Sequence, residues 1–174
     1  SKIDSDPYPK PGSKIIKAFN YGLERSIKDY DIIGKFDGDI ELPKNYFEKM
    51  VNIFANNKKI GLASGLLSTY KNNSWKIENL YEKTHVRGGL KLYNKSTFKK
   101  IKGLTESMGW DSLDELKIRF FNIDLYIDDS LVCKQLRKTG ERYSDKMFYK
   151  QGRVMYLLGY DFIPVSYTHL TLPT

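Results

Sequence analysis

At 174 residues, 40% apolar and 14% aromatic, the chain is one domain's worth of sequence with enough hydrophobic material for a core, and no apolar run is long enough to span a bilayer. A single cysteine, Cys133, excludes an internal disulfide and a cysteine-rich zinc site, and fits a reducing cytoplasm. The formal charge of +8 favours anionic partners, with nucleic acid, a membrane surface and a sugar nucleotide all admissible, but the lysines are dispersed rather than massed in one run.

From the N-terminus, Pro11-Gly12-Ser13 reads as a turn with Ser13 initiating a helix. Ile15, Ile16, Phe19, Leu23 and Ile27 recur at helical spacing, which predicts an amphipathic helix over Lys14–Lys28. Asp31–Phe36 reads as a short buried strand running straight into Asp37-Gly38-Asp39. Pro43 then opens a helix, Lys44–Asn56, with Phe47, Met50, Val51 and Phe54 on one face. Ile60–Leu67 is a buried strand of small residues. Trp75–Leu80 and Leu90–Tyr93 are weaker strand candidates, separated by the polar segment Thr84–Gly89.

A short helix, Lys95–Ile101, ends near Gly103, and a further helix covers Gly109–Arg119. Ser112 and Glu115 have the spacing of a capping box, which makes Ser112 the expected N-cap and puts Asp114 in the first turn. Asp124–Cys133 suggests one or two short strands, Thr139-Gly140 a turn and Asp145–Leu158 a helix. Tyr143, Phe148, Tyr149, Tyr156 and Tyr160 could form a stacking surface, though such residues are more often core and rim packing. No internal repeat, low-complexity tract or linker divides the chain.

Asp-x-Asp occurs three times, at Asp4/Asp6, Asp29/Asp31 and Asp37/Asp39, and only the third follows an apolar strand and has glycine at its centre. Residues i and i+2 at a strand end point to the same side, so both carboxylates can face one ligand, and Gly38 leaves room for a close approach. Two hard oxygen ligands suit a divalent cation carrying a diphosphate. A polar strand-to-loop turn accounts for the same residues. Asp114 likewise has two readings: a carboxylate complementing the positive helix end, or a base beside a pocket.

These segments, in this order from about Gly12 to Gly159, resemble a bacterial family 2 glycosyltransferase of the GT-A fold, an α/β Rossmann-like architecture. GSKIIKAFNYGLE resembles the helix that carries a Lys and an Asn near the sugar nucleotide, here Lys14 and Asn20. IGKFDGDIELP is similar to the metal-binding strand, which implies Mn2+ or Mg2+ on Asp37 and Asp39, with Asp37 also touching the donor. VRGGLKLYNKSTFKKIKGL resembles the acceptor-side segment and contains Arg87. GWDSLDELKIR resembles the acidic motif that supplies the catalytic base, here Asp114 with Asp111 as the alternative, and Trp110 is either a wall against a sugar ring or an ordinary buried tryptophan. VCKQLRKTG resembles a stretch that usually carries His before Arg. Gln135 and Leu136 stand there instead, leaving a shell of carboxylates and water, or Lys134 and Arg137 binding the diphosphate directly. His85 lies too far from this stretch to be carried over and reads as a loop histidine beside Arg87.

The implied reaction is inverting transfer of a sugar from a nucleotide-diphosphate donor to a glycan or glycolipid acceptor, as in polysaccharide biosynthesis, in the cytoplasm. Peripheral membrane association of a full-length protein stays open, and no nucleic-acid-binding signature occurs. Val165–Thr174 resembles a translated sequencing adapter, so the expected division is a partial GT-A domain over 1–164 and a non-native tail over 165–174, which removes His169 as a ligand. The family's opening nucleotide-binding strands have no counterpart here. The 174-residue chain is therefore expected to be inactive alone, which detectable sugar transfer by the purified chain would refute. The competing readings are a non-catalytic carbohydrate- or nucleotide-binding module and, more distantly, a basic nucleic-acid-binding domain with steep salt dependence.

Overall fold

The computed structural model describes residues 12–26, 29–78, 85–137 and positions 152, 155, 156 and 159. Helix α1 spans Ser13–Arg25 and is capped by Gly12 at φ 85°; Ser13 lies inside the first turn and makes no capping bond, contrary to its expected role. A left-handed cap is natural for glycine and strained for serine. Ile16 is fully buried with Phe19 and Leu23 packed beside it, whereas Ile15 is exposed, so the apolar stripe is narrower than the sequence suggests.

Strands β1 (Ile32–Phe36) and β2 (Ile40–Glu41) bracket the Asp37-Gly38-Asp39 turn. Helix α2 (Tyr46–Asn56) buries Tyr46, Met50 and Phe54 at steps of four, while Phe47 and Val51 are 55% and 51% exposed. The expected face is rotated: Tyr46, in line with Met50 and Phe54 at steps of four, enters the core in place of Phe47. Strand β3 runs over Ile60–Lys71, beyond the expected Leu67, and turns into β4 (Ser74–Ile77) through Asn72 and Asn73 at φ 52° and 57°, the two left-handed residues of a tight hairpin. Strand β5 (Leu90–Asn94), helix α3 (Lys95–Lys100), helix α4 (Trp110–Phe120) and strand β6 (Asp124–Gln135) complete the described elements. The Ser112–Glu115 capping box does not form. Gly109, left-handed at φ 72°, caps α4, the Ser112 amide donates to its carbonyl at 3.1 Å, and Glu115 is engaged elsewhere.

The chain is a mixed α/β fold. Its six described strands form one sheet in the order β1-β5-β3-β6-β2, with β4 added to β3; β6 runs parallel to β3 and the other pairings are antiparallel. Period-two alternation feeds a core on each face. Leu90 and Leu92 of β5 join Ala63, Leu131, Cys133 and the buried side of α2, while Tyr93 joins Leu62 and the buried residues of α1, α3 and α4. A bulge lies between the pairs Gly65–Asp128 and Leu66–Val132, where a Cβ on Gly65 would stand 2.3 Å from the Leu131 carbonyl oxygen.

No helix among the described residues is long and apolar enough to cross a membrane. The expected turn at Thr139-Gly140, most of the expected helix over Asp145–Leu158, residues Tyr143, Phe148, Tyr149 and Tyr160, and the tail from Val165 lie outside the described residues.

Candidate functional site

Asp37 directly follows β1 and half-faces solvent. Its amide donates to the Gly89 carbonyl at 2.9 Å, so the loop entering β5 is stitched to the strand end. The fit is tight: a Cβ on Gly89 would lie 2.7 Å from Asp37 Oδ2, and one on Gly88 would lie 3.0 Å from both Asp111 Oδ2 and the Trp110 ring. The Gly88-Gly89 turn therefore sits against the Asp37 carboxylate on one side and the Asp111 carboxylate on the other. Gly38 meets nothing within 4 Å and has no left-handed backbone, so a side chain there is excluded by no protein contact.

Beneath this turn lies a buried polar network that the sequence reading did not anticipate. Lys91 is 0% exposed; its ammonium donates to the Asp111 carbonyl at 2.5 Å, to the Asp114 carboxylate at 2.8 and 3.1 Å, and to Glu115 Oε1 at 3.2 Å. Tyr93, two residues along the same face of β5, donates its hydroxyl to Asp114 Oδ2. Glu115 accepts the Val86 amide at 2.8 Å and faces His85 Nδ1 at 3.1 Å, which fixes the segment leading into Gly88-Gly89. Burial raises the Asp114 pKa against the opposing pull of Lys91 and Tyr93, and burial together with the Asp114 charge pushes Tyr93 well up. For Glu115 burial pulls upward, but the His85 hydrogen bond and the Lys91 charge outweigh it and lower the pKa; that same hydrogen bond raises His85. The one legible signal was a lysine in an otherwise apolar strand, Leu90-Lys91-Leu92-Tyr93.

A second buried lysine lies beside the first. Lys35 of β1 is directly opposite Lys91 of β5, is 4% exposed, and pairs with Asp37 Oδ1. Both ammoniums stand over Trp110, at 5.1 and 5.5 Å from its ring centroid. Trp110 itself is buried, at 6% exposed, and belongs to the core cluster of α1, α3 and α4.

The remaining candidates are more scattered. Lys14 is exposed on α1, and Asn20 donates to Glu106 at 3.4 Å. Arg87 pairs with Glu78 at 3.2 Å, while His85 turns to Glu115, so the two are not a partnered pair; both line a cavity of about 20 Å3, room for one water. Arg137 is exposed beyond β6, Lys134 pairs with Glu41 at 3.0 Å, and the Leu136 amide donates to the Asp39 carbonyl at 2.8 Å. The end of β6 therefore reaches the Asp37-Gly38-Asp39 turn.

Among the described residues no three His, Cys, Asp or Glu side chains gather to hold a metal. Asp37 and Asp39 supply hard oxygens, and Lys35 already occupies one oxygen of Asp37. This donor set does not make a closed protein cage. Mg2+ or Mn2+ could use such a pair only in the form that takes one or two carboxylates and completes its shell with substrate phosphates and water. The chain matches no protein-family model, and no curated protein matches it either.

Proposed function

We propose that this chain carries the donor and base sites of an inverting glycosyltransferase with a GT-A arrangement, acting on a nucleotide-diphosphate sugar and a hydroxyl of a glycan or glycolipid. The observation that carries the reading is the pairing of two carboxylates, Asp37 and Asp111, across the Gly88-Gly89 turn. Transfer with inversion needs this layout: one carboxylate side to hold the leaving diphosphate, and a second across the gap to take a proton.

Asp37 and Asp39 would hold Mn2+ or Mg2+, whose charge stabilises the departing diphosphate. Asp111 accepts the proton of the acceptor hydroxyl as that oxygen attacks the anomeric carbon, and the bond from that carbon to the diphosphate oxygen breaks on the opposite side. Asp114, the sequence's first choice for the base, is 2% exposed with both oxygens bonded to Lys91 and one also to Tyr93, and cannot receive an incoming hydroxyl. It serves better as the anchor that fixes the start of α4 and thereby aims Asp111. Lys14, Asn20 and Arg137 remain the candidate donor contacts, and Arg87 the acceptor contact.

Calorimetric titration of UDP and GDP with and without Mn2+ tests the reading. Metal-dependent binding that disappears in Asp37→Asn/Asp39→Asn is expected. The Lys35–Asp37 pair is the observation favouring a non-catalytic nucleotide- or carbohydrate-binding module, which predicts binding unaffected by Mn2+ and by that double substitution.

A further inference from the structure

We infer that Lys35 is a built-in counter-ion of Asp37 that makes the site select a metal–diphosphate complex over a bare divalent cation. The inference rests on the donor-site reading above and deepens it.

The two lysines in the floor of the site are not equally provided for. Lys91 has the Asp111 carbonyl, Asp114 and Glu115 as acceptors. Lys35, directly across the strand pair, has the Asp37 carboxylate as its charged partner among the described residues. Cross-strand residues on one face stand close, so the two ammoniums repel each other and each needs its own anion. Only 5% of the Lys35 side chain is exposed and its ammonium stands 5.1 Å from the Trp110 ring centroid, so it stays buried when Asp37 is taken from it.

A bare divalent ion arriving at Asp37 would add two positive charges beside this lysine pair and withdraw the carboxylate that neutralises Lys35. Both effects oppose binding. A metal–diphosphate complex is different, because the diphosphate oxygens cancel the charge of the ion, leaving the complex neutral with a nucleotide-diphosphate sugar and a net anion with UDP. The phosphate oxygens also offer Lys35 negative charge in place of the carboxylate it loses. Lys35 thus penalises the cation alone and favours the cation that brings its phosphates.

The test counts Mn2+ retained with the full chain after equilibrium dialysis, with and without UDP, from the free-ion electron paramagnetic resonance signal released by acid in the protein and protein-free chambers. Wild type should bind Mn2+ weakly alone and distinctly better with UDP. Lys35→Met and Lys35→Gln, which remove the charge and relieve the repulsion with Lys91, should bind bare Mn2+ about tenfold more tightly and narrow the advantage given by UDP. Lys35→Arg, which keeps the charge, should behave as wild type, and Asp37→Asn added to Lys35→Met should abolish the gain. Circular dichroism establishes that each variant is folded, and the two neutral replacements guard against one failing to fold. Unchanged or weaker Mn2+ binding in both neutral variants, with UDP-dependent binding intact in wild type, overturns the inference while leaving the donor site standing. Absence of Mn2+ binding with UDP in wild type and in every variant overturns the donor-site reading and this inference with it.

Discussion

Lys91 ties β5 to the first turns of α4. With no exposed surface, it is held by the carbonyl of Asp111 and the carboxylates of Asp114 and Glu115, all at the start of α4. Removing it strands two buried acids, and breaking a buried pair from one side costs about 3–5 kcal/mol. Lys91→Met is expected to lower stability by that amount in urea denaturation, and Lys91→Met/Asp114→Asn to lower it by less than the sum of the single losses, because the second change removes a stranded charge. Additive losses would show that the pair is not coupled. Next to it, the His85–Glu115 contact sets a pH dependence whose sign is fixed by the shifts. His85 is raised above 6.5 by its bond to Glu115, so its contribution is complete below 6.5 and is lost as pH rises through the folded value; Glu115 is lowered below 4.5, so its contribution is complete above 4.5 and is lost as pH falls. Asp114, raised from 3.8 by burial, works oppositely and weakens the fold as pH rises through its folded value. His85→Gln should therefore lower the melting temperature more at about pH 5.5 than at about pH 8.5, since only at the lower value is the lost ion pair fully formed in wild type. Equal losses at both values would show that the charge on His85 in the folded protein does not change between them.

At the scale of elements, the Gly88-Gly89 turn sets the gap between the strand carrying Asp37 and the helix carrying Asp111. A methyl group at Gly88 meets Asp111 Oδ2 and Trp110 at 3.0 Å, tighter than ordinary contact, so one side of the gap must yield. Gly88→Ala is expected to cost about 1–3 kcal/mol of stability, as other overpacking changes do. Metal-dependent UDP binding should fall roughly tenfold to a hundredfold, because misplacement by about an ångström is that damaging to a preorganised site. Loss of stability with UDP binding unchanged would reduce the turn to a packing device. This turn also marks the boundary of what was legible in the sequence. The end of β1 and its paired aspartates could be read because strand alternation and turn chemistry are local. So could α1, α2 and β3, whose apolar spacing is strong, although the face of α2 was displaced by one residue because Tyr46 and Phe47 compete as neighbouring aromatics. What brings Gly89 against Asp37, or Lys91 beneath α4, is the pairing of β5 between β1 and β3, a long-range choice that no local pattern encodes. The Ser112–Glu115 spacing misled for a related reason: Glu115 is drawn into the Lys91 and His85 contacts, and the backbone freedom of Gly109 supplies the cap instead.

At the scale of the whole molecule, the two cores share one sheet, and Cys133 reports on whether they open together. It lies on β6 at 0% exposure, packed with Tyr46, Met50, Leu90 and Leu131, and opposite Leu67 of β3. Burial pushes its thiol up to about 12, so it offers almost no thiolate to a reagent while the fold is closed. Beyond Cys133 the strand paired with the other side of β6 among the described residues is the two-residue β2, at Gln135 and Lys134, and that end of β6 is where fraying would begin. The packing against α2 argues against such fraying, because exposing Cys133 requires separating β6 from a helix that buries Tyr46, Met50 and Phe54 in the same cluster. Labelling of Cys133 by a thiol reagent at about pH 8 should therefore occur only through global unfolding, with an opening free energy equal to that from urea denaturation. A much smaller opening energy would mean that β2 and the end of β6 detach as a unit. The Asp37-Gly38-Asp39 turn, tied to that strand end through the Leu136 amide, would then be mobile while the rest of the sheet stays folded. Agreement of the two energies would mean instead that the candidate donor carboxylates are held as firmly as the core itself.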